Sequence, residues 1–217
     1  MNHGIYLRAV AINNIIFDLG GVIINLAYER TRLAFLELGL TGYDSIFSKA
    51  QQLQFFDALD NGKLSPEDFR SEIRKHIAHP VSDAQIDAAW NAMLLDIPQE
   101  KLALLAEMKK KYRTFLLSNT NVLHVQSIFA YLQRTYNVSD LSPYFEKCYY
   151  SCSIGMRKPD AEIFRFVLRE NNLRPEETLF IDDSEQHIRS ANSLGINAVL
   201  MDQNASLEEV LRSVAVL

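Results

Sequence analysis

At four places in this chain a short apolar run gives way to a cluster of polar residues, and this limits the possible folds more than any other feature. Ile15-Ile16-Phe17 ends on Asp18, Phe115-Leu116-Leu117 on Ser118-Asn119-Thr120-Asn121, and Leu179-Phe180-Ile181 on Asp182-Asp183. The run from Cys148 to Ser151 is followed shortly by Gly155-Met156-Arg157-Lys158-Pro159-Asp160. Short unalternating apolar runs are the pattern of strands covered on both faces. They predict buried strands at Asn14–Phe17, Thr114–Leu117, Lys147–Tyr150 and Thr178–Ile181, and a fifth at Asn197–Met201.

Helical periodicity alternates with these runs. Leu102, Leu105 and Met108 share one face of a helix that starts near Pro98 and ends in Lys109–Lys111, where positive charge favours a helix C-terminus. Phe164, Val167 and Leu168 share a face behind a candidate N-cap at Asp160. Ile188, Ala191 and Leu194 do so behind Ser184, before a stop at Gly195. Strand–helix alternation of this kind predicts an α/β fold, a Rossmann-like parallel sheet with helices on both faces. In a parallel sheet every strand C-terminus lies on one edge, so Asp18, Ser118, Lys158 and the Asp182–Asp183 pair converge there.

Residues 28–96 break the rhythm. They hold apolar stripes at helical spacing but no strand pattern: Leu33, Leu36 and Leu40; Ile46, Ala50 and Leu53; Phe69, Ile73 and Ile77; Ile86, Ala89, Trp90 and Met93. Ser65-Pro66-Glu67-Asp68 reads as N-cap, first-turn proline and acidic first turn. The expectation is an all-helical cap at 28–96 inserted after the first strand of a core made of 1–27 and 97–217. A segment inserted there stands over the edge where open α/β sheets bind ligands.

Composition narrows the partners. The 217 residues are 48% hydrophobic and 23% charged with net charge −5, ordinary for a globular chain and the wrong sign for tracking nucleic acid. The apolar stretch Ala9–Phe17 is too short to span a membrane and has no good cleavage site, so a membrane role is not expected. Cys148 and Cys152, if on one strand, stand roughly 13 Å apart, too far for a disulfide. They read as reduced thiols of a cytoplasmic protein. Oligomeric state is left at monomer or weak homodimer.

The converging groups have a definite chemistry. A phosphate monoester repels a carboxylate nucleophile unless a cation intervenes. Carboxylates such as Asp18 and the 182–183 pair are the oxygen ligands Mg²⁺ takes, leaving room for water and phosphate. Lys158 adds fixed positive charge and the Ser118 hydroxyl a donor. Asp18 can then attack phosphorus to give an aspartyl-phosphate that water hydrolyses. Taken singly, each residue has a plainer role. Asp18 can cap a turn, Ser118 can form one, Lys158 can be a solvated lysine and Arg157 a surface charge or structural partner. Two adjacent acids at a strand end, however, are costly unless paired or metal-bound.

Phe17-Asp18-Leu19-Gly20-Gly21-Val22, Ser118-Asn119-Thr120, Gly155-Met156-Arg157-Lys158-Pro159 and Asp182-Asp183-Ser184 resemble, in order, the four motifs of the haloacid dehalogenase-like (HAD) hydrolase superfamily. The helical segment resembles that family's cap. The resemblance implies a hydrolase of small phosphorylated metabolites with Mg²⁺. It implies Asp18 as nucleophile and metal ligand and the Gly20 carbonyl as a second ligand. Ser118, Asn119 and Lys158 would lie on the phosphate, and Asp183, with Asp182, on the metal. The Asp-Leu-Gly, Ser-Asn-Thr-Asn and Gly-Met-Arg-Lys-Pro strings are similar to α-D-glucose-1-phosphatase-like members, which points to a sugar phosphate.

One position departs from the family pattern: Gly20 stands where family phosphatases carry a second Asp as general acid and base. Its absence leaves three readings: a good leaving group, a substitute proton donor, or a weakly catalytic binding or regulatory protein. Family dehalogenases also lack that Asp but need no metal, against which the paired acids count. His3, His76, His79, His124 and His187 lack zinc spacing and read as structural. Tyr43, Phe55 and Phe56 read as cap core more than pocket, and Gln51, Gln52 and Gln54 as possible contacts to sugar hydroxyls.

Overall fold

The computed structural model describes residues 11–41, 56–202 and 204–217. Among them a five-stranded sheet has the order β3-β2-β1-β4-β5, every neighbour parallel. The strands are β1 (Asn14–Phe17), β2 (Arg113–Ser118), β3 (Lys147–Tyr150), β4 (Thr178–Asp182) and β5 (Asn197–Leu200), each within a residue of its predicted bounds. Side chains alternate across β1. Ile15 and Phe17 pack on one face with Leu102, Leu105 and Met108 of α4 (Gln99–Lys111), while Ile16 packs on the other with Ile163, Phe164 and Val167 of α7 (Ala161–Glu170). Covered on both sides, the central strands can be continuously apolar, which is why period-2 polarity is absent from their sequence.

The register aligns the strand ends. Phe17 pairs with Leu116 on one side and Ile181 on the other, and the Asp18 N–H donates to the Ile181 carbonyl at 2.9 Å. Asp18, Ser118 and Asp182 therefore leave the sheet at one edge. Between β1 and β2 lie α1 (Tyr28–Glu37), a helical stretch at 56–60, α2 (Pro66–Arg74), α3 (Asp83–Asn91) and α4. The segment before α4 has its own apolar cluster, including Phe35, Leu59, Phe69, Ile73, Ile86 and Trp90, which meets the rest of the chain at Leu123 of α5 (Val122–Tyr136). Phe56 stacks on Trp90 (centroids 4.8 Å) and Trp90 on His124 (4.9 Å).

Several local readings need correction. Leu33 and Leu36 are 46% and 41% exposed, and the buried face of α1 is Thr31 and Phe35. Leu40 is buried, but α1 ends at Glu37, so Leu40 does not extend a stripe on that helix. Thr31 is buried because its hydroxyl donates to the Trp90 carbonyl and accepts the Met93 N–H, both at 3.0 Å, tying α1 to α3. Ser65 caps α2 as expected, accepting the Asp68 N–H at 3.1 Å. Asp160 and Ser184 occupy N-cap positions without a side-chain capping bond. The Ser184 N–H is turned to Asp182 Oδ1 at 2.8 Å instead. Lys109 does more than face a helix terminus: its ammonium donates to the carbonyls of Ser142, Pro143 and Phe145 at 2.8–3.0 Å. Cys152 lies in the short helix α6 (Ser151–Ile154) rather than on the strand of Cys148, and both are free thiols. The stripe Ile46, Ala50 and Leu53, with Tyr43, Phe55 and the three glutamines, falls outside the described residues. No helix among the described residues is long and apolar enough to cross a membrane.

Candidate active site

The strand-end groups meet around Lys158. Its side chain is fully buried, with the ammonium 2.8 Å from Asp18 Oδ1 and 2.5 Å from Asp182 Oδ2. Asn119 holds the Lys158 main chain from both sides: its Nδ2 donates to the Lys158 carbonyl at 2.7 Å and its Oδ1 accepts the Lys158 N–H at 2.9 Å. Asn119 also lines the cleft. Its side-chain amide places the Lys158 main chain.

The three carboxylates are not equivalent. Asp182 is buried and saturated: Oδ2 faces Lys158, while Oδ1 accepts the Ser184 N–H at 2.8 Å and lies 2.9 Å from His187 Nδ1. Burial alone would raise its pKa, yet Lys158 and His187 hold it below the usual carboxylate value. Asp18 goes the other way. Burial, with Asp182 adding to it, pushes its carboxyl up to about 7 even against Lys158. Asp183 is raised too, by burial and by Asp182, and accepts no hydrogen bond from another residue among the described residues. Burial works against the charged form of Lys158, but the two acids hold its pKa above the ordinary value.

One oxygen from each of Asp18, Asp182 and Asp183 lies within 4.8 Å of the others. Three carboxylates share one ammonium in this cluster, which leaves negative charge in excess. The donor set is all hard oxygen, which suits Mg²⁺. Gly21 makes room for the Asp183 carboxylate: with φ +70°, a Cβ there would lie 2.3 Å from Asp183 Oδ2. At Gly20 a Cβ would meet only the end of the Leu26 side chain, at 2.8 Å.

These groups open into a cleft of about 600 Å³. Asp18, Gly20, Ser118, Asn119 and Asp183 line one end, and Phe56, Asp60, Trp90 and His124 come from or pack against the helical segment. Arg157 lines it too and ion-pairs with Asp57, the structural-partner reading of that residue. Sequence reasoning missed Asp60 altogether, since one acid before Asn61-Gly62 looks like turn chemistry. It also missed how the structural histidines act. His187 orients Asp182. His124, which burial lowers to about 3 and so keeps neutral, lies 2.8 Å from Asn91 Oδ1 through Nδ1.

The chain is similar to known proteins in both sequence and fold. The profile described as hydrolase, haloacid dehalogenase-like hydrolase, matches residues 12–195. A D-ribitol-5-phosphate phosphatase of Bacteroides thetaiotaomicron is 32% identical over 200 residues, spanning 92% of this chain and 97% of that one. A crystal structure of a HAD family enzyme from the same organism, complexed with magnesium and inorganic phosphate, superposes with TM-score 0.83 at 38% identity, covering 93% of this chain and 100% of that one. A dehalogenase structure at 17% identity, TM-score 0.62, covers 93% and 96% and shares the fold. The chain belongs to the haloacid dehalogenase-like hydrolase family.

Proposed function

We propose that this chain is a Mg²⁺-dependent phosphatase of a small phosphorylated polyol or sugar, with Asp18 as nucleophile. The observation that carries the reading is the unequal use of the acids. Asp182 has spent both oxygens on Lys158, His187 and Ser184, whereas Asp18 and Asp183 face the cleft with raised pKa values and spare oxygens. Asp18, Asp183 and the Gly20 carbonyl would hold the Mg²⁺, with Asp182 beside them. The ion would offset the charge of the phosphate dianion and favour the ionised carboxylates. The Ser118 hydroxyl, which lines the cleft, would donate to a phosphoryl oxygen, Lys158 behind Asp18 would add positive charge there, and Asn119 keeps Lys158 in place.

Asp18 then attacks phosphorus. One carboxylate oxygen forms the O–P bond, the ester O–P bond breaks, and the alcohol leaves with a proton from solvent. Water next splits the aspartyl-phosphate, regenerating Asp18 and releasing phosphate. The cap is residues 28–96 and the core 1–27 with 97–217, supported by the separate apolar cluster of the helical segment.

Gly20 still shapes the substrate range. The relative's D-ribitol 5-phosphate is an ester of a primary alcohol, a poor leaving group, whereas an anomeric sugar phosphate departs more readily. A general acid is worth roughly 10²–10⁴ in rate, so Gly20 favours the better leaving group wherever no other donor serves. The free thiols Cys148 and Cys152 support a cytoplasmic setting, and monomer or weak homodimer is the proposed assembly.

The test is phosphate release from D-ribitol 5-phosphate, glucose 1-phosphate and an aryl phosphate, with Mg²⁺ or EDTA, by wild type and Asp18→Asn. Release requiring both Mg²⁺ and Asp18 is expected. No release above the Asp18→Asn background on any ester would end the reading.

A further inference from the structure

The cleft has a second polar feature that the phosphate chemistry leaves unused. The helical stretch at 56–60 ends at Asp60, and its main chain is fastened to the core. The Ser151 hydroxyl donates to the Asp60 carbonyl at 2.6 Å and accepts the Thr120 N–H at 2.9 Å. Gly62 follows with φ +66°, where a Cβ would lie 2.4 Å from the Cys152 carbonyl, so this corner sits directly on the core. The Asp60 side chain is aimed as well. Asn121 Oδ1 accepts from the Trp90 indole at 3.3 Å and from the His124 N–H at 3.1 Å, which fixes the amide orientation. Its Nδ2 therefore points at Asp60 Oδ1, 3.1 Å away. The other Asp60 oxygen accepts no hydrogen bond from the described residues, although Asp60 is partly buried in the cleft wall.

A half-buried carboxylate with one neutral partner is a costly way to fill a position that an amide could fill. Burial raises the Asp60 carboxyl to about 6, as expected of an acceptor short of donors. Its place in the cleft excludes the phosphate as its ligand, since like charges repel. Asp60 and Ser118 line the same cleft of about 600 Å³, and Asp60 is hydrogen-bonded to Asn121, three residues beyond Ser118. That puts Asp60 within reach of the alcohol portion of a small sugar phosphate.

We infer that Asp60, oriented by Asn121, accepts a hydrogen bond from a hydroxyl on the alcohol portion of the substrate, and so selects polyol and sugar phosphates over esters without hydroxyls. The inference rests on the phosphatase reading and names its specificity residue.

The experiment compares wild type and Asp60→Asn on D-ribitol 5-phosphate, glucose 1-phosphate and p-nitrophenyl phosphate with saturating Mg²⁺. The substitution keeps an acceptor for Asn121 and turns the free acceptor into a donor. Loss of a charge-assisted hydrogen bond should lower kcat/KM on the hydroxylated esters by roughly 10- to 100-fold, mainly through KM, and leave the aryl ester within about twofold. Equal loss on all three esters would mean a structural role and overturn the inference, as would no loss on any. Wild type alone gives a second measure that needs no variant to fold. Butyl phosphate, which lacks the hydroxyls, should be hydrolysed roughly 10-fold or more less efficiently than the polyol phosphate, and parity would refute the inference. If wild type released phosphate from no ester, including the aryl one, the phosphatase reading itself would fall.

Discussion

Substituting Lys158 by Met keeps a side chain of similar length and deletes the ammonium that bridges Asp18 and Asp182. Two buried carboxylates are then left without their shared cation. Removing one partner of a buried ion pair costs about 3–5 kcal/mol. The structure points to the lower end of that range. Asp182 keeps the Ser184 N–H and His187, and Asp18, already raised to about 7, can take up a proton. A loss of about 3 kcal/mol in a chain of this size lowers Tm by about 6–12 °C, measurable by circular dichroism in EDTA at neutral to slightly alkaline pH. The gap to wild type should narrow as the pH falls, because protonating Asp18 removes one of the stranded charges. Adding Asp18→Asn to Lys158→Met removes the same charge permanently and should recover at least about 1 kcal/mol, so the two substitutions will not be additive. If Lys158→Met melted within about 2 °C of wild type, or the double variant lost the sum of the single losses, Lys158 would not be offsetting these acids.

Two further outcomes follow from the same cluster. Asp18 and Asp183 have folded-state pKa values above their unfolded ones, so their favourable contribution is complete below about pH 4 and is lost as pH rises, for Asp18 through about 7. In EDTA this part of the stability should decline across that window. Saturating Mg²⁺, which binds the ionised forms, should flatten the decline, and parallel Tm-versus-pH curves with and without Mg²⁺ would contradict it. Gly21→Ala forces an alanine to φ +70° and a methyl against Asp183 Oδ2. It should cost about 1–2 kcal/mol of stability and weaken the Mg²⁺-induced rise in Tm, whereas an unchanged rise would show that Asp183 is not needed for the metal.

What the sequence made legible was local. A doubly covered strand announces itself by an unbroken apolar run, and the polar residue that ends the run must lie at the strand terminus, so Asp18, Ser118 and Asp182–Asp183 could be placed on one edge before any coordinates. Helix periodicity was weaker evidence. It put Leu33 and Leu36 on the buried face of α1, where packing against α3 selected Thr31 and Phe35 through a hydroxyl bond to Trp90. Contacts between distant residues could not be read at all. Asn119 is a turn residue in sequence and the holder of Lys158 in space, 39 positions away. Asp60 gains its meaning from Asn121, 61 positions away, and from Ser151, 91 away. The chemistry of the strand ends was therefore determined by sequence alone, because backbone geometry carries each side chain to the edge. Which acid is saturated with hydrogen bonds, which keeps an oxygen open to the cleft, and which carboxylate Asn121 holds in the cleft wall were decided only by the tertiary structure, because hydrogen-bond satisfaction and burial arise from groups that the chain brings together when it folds.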